Sequence, residues 1–268
     1  MTVGTMTWLL RPGIGLARRD TDLLQVGLDR PHVAVLPDTR AVRRLLVELA
    51  HGSPLSTLDE VTAPALAELV RAGLVVAAED EVARFEHRAA GRVHLEVPAA
   101  LWPSALRLLG ESRLRLTRDP ATATVALVWS EGELARHRVD AWVRSGTPHL
   151  VVRETAAGPV VGPYVVPGAT ACLRCVDAHE GERDPRRALV VEQLAERGPL
   201  RPAAPDPADR ALALAWAIRD LATAAEGGAP ATWSATVALG SLPPAVTPYH
   251  RHLHCGCAWA DIDQAAVG

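Results

Sequence analysis

Lysine and asparagine are absent from all 268 residues of this chain, so every one of its 28 basic residues is an arginine. The lack of lysine excludes a Walker-type phosphate-binding lysine, a Schiff base and a lysine general base. Long apolar runs are absent too. No stretch approaches the roughly 18 apolar residues that cross a bilayer. The apolar run Trp8, Leu9 and Leu10 stops at Arg11, which is too short for a signal-peptide core. These absences predict a cytoplasmic protein without a membrane segment.

What is present is typical of a folded protein with one large domain or two small ones. Hydrophobic residues make up 49% of the chain and charged residues 22%, a balance found in globular rather than disordered chains. The formal net charge of −3 gives no general electrostatic reason to bind nucleic acid or anionic lipid.

Residues 1–85 predict a small α+β domain of winged-helix topology, with three strands followed by three helices. The strands are predicted at residues 15–18, 23–28 and 32–36. The first helix begins at Asp38 or Thr39 and ends at Gly52, because apolar residues between them recur at helical spacing. A short helical turn at 56–60 and a third helix, from Thr62 to Gly73, complete the set. The charged residues 84–92 predict a linker.

Residues 90–268 alternate strand and helix patterns, which predicts an α/β layered sheet. Strands are expected at 93–97, 114–116, 125–129, 149–153, 160–166 and 232–239. Helices are expected at 103–110, 132–145 and 207–226, with a charged, proline-rich excursion at 180–209. Glu131 and Glu133 are expected in the first turn of the helix at 132–145, where the helix dipole favours carboxylates.

All four cysteines fall into two close pairs, Cys172-Leu-Arg-Cys175 and Cys255-Gly-Cys257. Paired thiolates at this spacing can bind one Zn²⁺ from two loops in a closed tetrahedral site. With four sulfur ligands and no open position, the metal is predicted to be structural. Two disulfides or four unrelated thiols are the alternative. The nearby residues His250, His252 and His254 are expected to surround the site rather than to bind the metal.

These motifs resemble a known family. Gly162-Pro163, the run Pro167-Gly-Ala-Thr-Ala-Cys172-Leu-Arg-Cys175 and His254-Cys-Gly-Cys257 are similar to the zinc-binding part of ThiF-like proteins, the adenylating enzymes related to ubiquitin activation. The order of parts resembles the cyclodehydratase-like branch of azoline and azole (TOMM, bacteriocin) peptide biosynthesis. There, a winged-helix RiPP recognition element binds the leader of a precursor peptide, and a separate YcaO protein performs the ATP-dependent cyclisation. The resemblance also implies a Rossmann-like fold and a homodimer.

The sequence departs from that family where the nucleotide would bind. An adenylating enzyme follows its first strand with a glycine-rich turn, so that backbone N–H groups approach the phosphates. Here residues 93–97 run into Pro98-Ala-Ala-Leu-Trp102-Pro103, and no glycine lies between Arg92 and Gly110. The lysine and asparagine that adenylation usually requires are also missing. A degenerate ThiF-like domain without catalytic residues or bound ATP is therefore predicted; an ATP-dependent adenylyltransferase acting on a peptide or carrier-protein C-terminus is the alternative.

The N-terminal domain has two competing interpretations, a DNA reader and a peptide binder. Residues 1–85 hold nine arginines against eleven acidic residues, a formal charge of −2, which disfavours a DNA-binding regulator. A leader peptide could instead add as a strand beside residues 32–36 and lie in the groove next to the third helix. The predicted contacts are apolar residues and arginines that pair with acidic leader residues: Val33, Val35, Leu66, Arg40, Arg43, Arg44 and Arg71. Packing within the domain or a homodimer is the other explanation for these residues.

Overall fold

A computed structural model describes residues 7–55, 57–198, 200, 206–241 and 243–258. The chain divides into two compact units, Met1–Glu86 and His87–Gly268. Each unit builds its own hydrophobic core.

The N-terminal unit combines a three-stranded antiparallel sheet, two helices and a separate pair of strands. Its elements are β1 Trp8–Leu10, β2 Leu16–Asp20, β3 Leu23–Val26, β4 Ala34–Pro37, α1 Arg40–His51, α2 Thr62–Arg71 and β5 Val75–Ala77. The sheet has the order β2-β3-β4, and β1 pairs antiparallel with β5. The three strands predicted before the first helix are confirmed.

Helix α1 forms where its sequence pattern predicts it. The Thr39 hydroxyl accepts a hydrogen bond from the Val42 N–H at 3.2 Å and caps the N-terminus. Gly52 ends the helix at φ 63°, a left-handed conformation that glycine adopts without a Cβ clash. The apolar face of α1 is buried in the core of the unit, through Val42, Leu45, Leu46 and Leu49.

The start of α2 differs from the prediction. Thr57–Glu60 is not helical, and Ser56, the first residue of the predicted turn, lies outside the described residues. Asp59 rather than Thr62 caps α2, because its carboxylate accepts hydrogen bonds from the N–H groups of Val61 and Thr62, at 2.9 and 2.7 Å. The described part of the unit thus has two helices between β4 and β5, so the winged-helix topology stays a prediction.

The predicted linker at 84–92 is wrong, because helix α3 extends from Ala78 to Ala90. Three acidic residues occupy its first turn, and His87 and Arg88 occupy its last turn. Both ends therefore complement the helix dipole. The boundary between the two units, Glu86 to His87, falls within this helix.

The C-terminal unit is a mixed α/β fold around a seven-stranded sheet. Its strands are β6 Arg92–Glu96, β7 Arg115–Thr117, β8 Val125–Ser130, β9 His149–Thr155, β10 Gly158–Val165, β11 Ala235–Ala238 and β12 Ala245–Pro248. Its helices are α4 Trp102–Glu111, α5 Asp140–Arg144, α6 Leu173–Gly181, α7 Arg187–Arg197 and α8 Pro207–Ala225. The strand order is β12-β11-β10-β9-β8-β6-β7, with β7, β6, β8 and β9 parallel and the others antiparallel.

Both faces of this sheet are covered. All six residues of β8 are buried, as expected for a central parallel strand. Leu127 on one face packs in a cluster with Leu214 and Ile218 of α8. Val128 on the other face packs with Trp142 of α5 and Leu173 of α6. The chain passes from β6 to β7 and then returns to β8 on the other side, so the carboxyl ends of β6 and β8 mark a topological switch point, where open α/β sheets bind ligands.

One prediction for this unit needs correction. The helix expected at 132–145 is reduced to a 3₁₀ turn, Arg136–Val139, and the short α5, and residues 132–135 are not helical. The expected excursion at 180–209 includes helix α7, in which Val191 is the one buried residue. Among the helices that the structure describes, none is both long and apolar enough to cross a membrane.

Candidate metal centre and open strand edge

The four cysteines converge from two distant parts of the chain. Cys172 is the N-cap residue of α6, and Cys175 lies in the first turn of that helix. Cys255 and Cys257 lie at the 3₁₀ turn Gly256–Ala258. All four are free thiols, which removes the disulfide alternative in this structure.

The spacing of the sulfurs fits one tetrahedral zinc ion. Zn–S bonds of about 2.3 Å in a tetrahedron require sulfurs about 3.8 Å apart. From Cys172 Sγ the distances to the sulfurs of Cys175, Cys255 and Cys257 are 3.7, 3.6 and 3.8 Å. The Cys175 and Cys257 sulfurs are 3.3 Å apart. The cluster can therefore hold a metal ion such as zinc and tie the C-terminal segment to α6.

The surroundings of Cys175 favour a thiolate. The Cys175 sulfur accepts a hydrogen bond from the His252 N–H at 3.4 Å, and the positive end of the α6 dipole lies at Cys172. Hydrogen bonds within the cluster, first of all with Cys172, lower the pKa of the Cys175 thiol. Four sulfur ligands leave no position for substrate, which is typical of a structural site.

The neighbouring histidines form a hydrogen-bonded layer beside the cysteines. His252 Nδ1 accepts from the His254 N–H at 3.2 Å, so the proton of the neutral ring is on Nε2. That Nε2 lies 3.0 Å from Glu182 Oε1 and donates to it. His179 Nε2 donates to the His250 carbonyl at 2.9 Å. These contacts fasten α6 to the segment that carries Cys255.

The carboxyl end of β6 lacks the glycine-rich turn of a phosphate-binding loop. Residues after β6 form a 3₁₀ turn, Ala99–Leu101, and lead directly into α4. Pro98 and Pro103 supply no N–H donors at the two ends of this turn. Leu101 is buried and packs in the hydrophobic core of the unit.

A buried charge network lies beyond the carboxyl end of β8, and sequence reasoning missed it. Arg136 binds Asp177 through two hydrogen bonds, at 2.6 and 2.7 Å, and Glu133 at 2.7 Å. Arg153 also donates to Glu133, at 3.0 Å. Burial raises the pKa of Glu133, but the charges of Arg153 and Arg136 outweigh it and leave the pKa lowered. The prediction that Glu133 lies in a first helical turn is wrong.

The second acidic residue of that prediction, Glu131, is also paired. Arg210 of α8 donates to Glu131 Oε1 at 2.7 Å and to Glu154 Oε2 at 2.8 Å. The indole N–H of Trp129 donates to Glu154 at 2.8 Å. The carboxylates at this end of the sheet therefore bind arginines of the same unit.

In the N-terminal unit, β4 is one of the two edge strands of its sheet, and one residue of it presents backbone groups outwards. The Asp38 N–H donates to the Asp22 carbonyl on the β3 side at 2.8 Å. Because pairing in an antiparallel ladder alternates, the N–H and C=O of Val35 point away from β3. The Val33 N–H is already used by the Pro31 carbonyl at 3.0 Å. Val35 is thus the main residue of this edge that could pair with another strand.

The apolar residues predicted to bind a peptide differ in their exposure to solvent. Val35 is 41% exposed, and Val33 is half-buried beside it. Leu66 is only 9% exposed and packs in the core of the unit. Leu66 therefore supports the helix from inside and does not line an open groove.

Three of the four predicted arginines are engaged within the unit. They form the ion pairs Arg43–Asp38 at 2.5 Å, Arg44–Glu48 at 2.9 Å and Arg71–Glu68 at 2.5 Å. The side chain of Arg40 is exposed and makes no hydrogen bond or ion pair with any residue that the structure describes.

Several solved structures share this fold. A heterocyclase in complex with substrate and cofactor matches with a TM-score of 0.66 at 16% identity, over 95% of this chain and 39% of its own. The heterocyclase TruD matches with a TM-score of 0.71 at 17% identity, over 94% of this chain and 43% of its own. MccB of E. coli, in complex with AMPCPP and MccA, matches with a TM-score of 0.65 at 12% identity, over 94% of this chain and 99% of its own.

These likenesses confirm, at the level of the fold, the predicted resemblance to ThiF-like proteins of azoline and bacteriocin biosynthesis. The chain spans about two fifths of the length of the two heterocyclases and nearly all of MccB. No family model matches the sequence, and no curated protein matches it.

Proposed function

We propose that the chain is a cytoplasmic, non-catalytic scaffold that binds the leader of a precursor peptide and brings it to a YcaO-type cyclodehydratase. In this proposal residues 1–85 are a winged-helix peptide-recognition domain. Residues 90–268 are a degenerate ThiF-like domain held together by structural zinc. The observation that carries the proposal is the turn at 98–103, where two prolines and Trp102 replace a glycine-rich loop in a fold shared with heterocyclase and MccB structures.

The charge network supports the same conclusion. At the carboxyl ends of the parallel strands, where an α/β sheet places its ligand, Glu131, Glu133 and Glu154 bind arginines rather than standing free for a magnesium ion or a ribose. This end of the sheet is therefore built for internal stability.

Peptide binding is supported by the open edge of β4. A leader peptide lying along this strand would exchange two backbone hydrogen bonds with Val35 and place side chains against its exposed face. The family resemblance also leads us to propose a homodimer, which light scattering of the purified chain would test.

A second candidate function is ATP-dependent adenylation. The observation that favours it is the match to MccB, which covers nearly the whole of that chain. The matching MccB structure is a complex with AMPCPP. ATP–pyrophosphate exchange by the purified chain, with and without added peptide, separates the two functions. Exchange above the protein-free background would support adenylation and contradict the scaffold.

The scaffold itself is tested by affinity capture of the tagged full-length chain from its native host, followed by intact-mass analysis of the retained molecules. We expect a short ribosomal peptide together with a YcaO-type protein. Recovery of the chain alone with bound nucleotide or a carrier protein would contradict the proposal.

A further inference from the structure

A second cluster of potential metal ligands lies beside the four cysteines. It consists of His179, Glu182 and His252, and we call it the histidine cluster. One ligand atom of each residue lies within 4.8 Å of the other two. His179 belongs to α6, Glu182 directly follows that helix, and His252 lies in the C-terminal segment, shortly before Cys255. The histidine cluster shares no residue with the cysteine cluster.

The histidine cluster can offer two imidazoles and one carboxylate to the same ion. Glu182 keeps helical backbone angles, φ −62° and ψ −30°, so it lies on the same face of the helix as His179, three residues before it. His252 meets this face from the other segment, with its ring centroid 4.8 Å from that of His179. Two imidazoles and a carboxylate form the ligand set of open zinc sites, in which water or substrate occupies the remaining position.

The hydrogen bond between His252 and Glu182 has the length of a pair of metal ligands. Nε2 of His252 lies 3.0 Å from Glu182 Oε1. Two atoms that each bind one zinc ion at about 2.1 Å, at a right angle, are also about 3.0 Å apart. When Nε2 binds a metal, the neutral ring carries its proton on Nδ1 instead. The hydrogen bond from the His254 N–H to Nδ1, 3.2 Å long, must then open.

His179 has the outer contact that metal-binding histidines usually have. One nitrogen of its ring, Nε2, donates to the His250 carbonyl at 2.9 Å. The other nitrogen therefore keeps a lone pair, and it has no hydrogen-bond partner in the part of the chain that the structure describes. Such a bond from one ring nitrogen to a carbonyl fixes the ring and its tautomer for binding a metal through the other.

The two clusters differ in how well they are prepared for a metal. The cysteine sulfurs already have the spacing of zinc ligands, whereas the widest separation in the histidine cluster must shrink by roughly 1 Å. The Glu182 side chain is 66% exposed, so it can make this movement, but the bound ion stays open to water. These differences predict weaker and exchangeable binding. Four thiolates around one Zn²⁺ leave a net negative charge next to the histidine cluster, which favours a second cation.

We propose that His179, Glu182 and His252 form a second metal site, which binds Zn²⁺ reversibly. Imidazole and carboxylate ligands suit zinc and similar divalent transition metals rather than Ca²⁺ or Mg²⁺. The ion adds an exchangeable link between α6 and the C-terminal segment, beside the permanent link that the cysteines make. This site is independent of the proposed scaffold function.

The test is calorimetric titration of the untagged full-length chain with Zn²⁺. Dialysis first removes exchangeable metal, and elemental analysis gives the zinc that stays in the cysteine cluster. We expect one further equivalent to bind in the titration. Glu182→Gln keeps an acceptor for the His252 Nε2–H but loses the carboxylate, and His179→Gln keeps a donor for the His250 carbonyl. Each should weaken the added equivalent at least about tenfold, because even partners outside the ligand shell contribute that much.

Glu111→Gln is the matched control. It removes an exposed carboxylate of α4 with the same change in net charge, so it should bind the added equivalent like the wild type. The zinc that survives dialysis should be the same in all three variants. Nitrogen-15 NMR of the histidine rings gives a second readout, because the proton of His252 should move from Nε2 to Nδ1 as the added equivalent binds.

Three results would overturn the second site. One is a titration in which the dialysed wild-type chain binds no further zinc. Another is an added equivalent that Glu182→Gln and His179→Gln bind as tightly as the wild type. The third is a His252 proton that stays on Nε2 while the added zinc binds. None of these results bears on the scaffold, which is tested by peptide capture.

Discussion

Arg136 and Asp177 lie 41 residues apart in the sequence and form a buried, two-pronged ion pair, with N···O distances of 2.6 and 2.7 Å. Arg136 follows β8, and Asp177 lies on α6, the helix that carries Cys175. The pair therefore fixes the metal-bearing helix against the carboxyl end of the sheet. Since Arg136 is only 3% exposed, water cannot replace its partner.

Arg136→Gln should destabilise the C-terminal unit by about 3–5 kcal/mol, because it leaves the carboxylates of Asp177 and Glu133 buried with less compensation. Urea unfolding measures the change. The control is Arg107→Gln, which removes the exposed pair with Glu111 and should change stability by about 0.5 kcal/mol or less. Equal effects of the two substitutions would show that the buried pair has no special role.

Acid should remove the contribution of Glu133. Its pKa is lowered in the folded chain, so its stabilisation is complete above the unfolded value of about 4.3 and is lost as the pH falls through the folded value. Glu133→Gln should therefore be less stable than the wild type at pH 7, and the difference should shrink below about pH 4. A difference that stays constant from neutral to acid pH would contradict this account.

The cysteine cluster should bind one zinc ion per chain. Cys175→Ser should lower the bound zinc towards zero and lower the thermal stability of the C-terminal unit, because metal binding contributes folding free energy. Elemental analysis of the purified chain measures the metal. His250→Ala is the control. Among the described residues, His250 makes a hydrogen bond through its backbone carbonyl and none through its side chain, so the zinc should be retained. Full zinc content in Cys175→Ser would show that the four sulfurs are not the ligands.

Gly162→Ala should destabilise the sheet next to the metal centre by more than about 1–2 kcal/mol. Gly162 has φ 103°, and a Cβ there would lie 2.3 Å from the Ala235 carbonyl oxygen. Gly146 is the matched control, since it also has a positive φ, of 67°, but open space around the Cβ position. Thermal unfolding of the two alanine variants separates the cost of a positive φ, which both share, from the cost of the Cβ contact with Ala235, which only Gly162→Ala has. Similar losses of stability in the two variants would show that the contact with Ala235 contributes nothing.

Local signals in the sequence were sufficient for many elements of the fold. The Thr39 cap, the apolar face of α1 and the terminating Gly52 lie within a few residues of one another, so the pattern alone fixes the helix. The two cysteine pairs were equally easy to recognise, because the two cysteines of each pair are separated by only one or two residues. The absence of glycine between Arg92 and Gly110 is read directly from the sequence, and in the structure β6 is followed by a 3₁₀ turn and α4.

What the sequence did not reveal depends on distant partners. Helix α3 has no buried face to give a periodic pattern, so its charged residues resembled a linker. Glu133 resembled a residue of a helix start, because its partner Arg153 lies 20 residues further along the chain. Arg136 gave no signal, because its partner Asp177 lies 41 residues further along. Only the folded chain brings these groups together.

The most direct test of the scaffold is peptide binding by Val35→Pro compared with Val35→Ala. Proline removes the N–H of Val35, which points away from β3, so the sheet should still form, and circular dichroism checks this. Alanine keeps the N–H and removes only part of the exposed side chain. With a peptide captured by the wild-type chain, we expect Val35→Pro to lose binding and Val35→Ala to retain most of it. Unchanged binding by a folded Val35→Pro variant would contradict strand addition at β4.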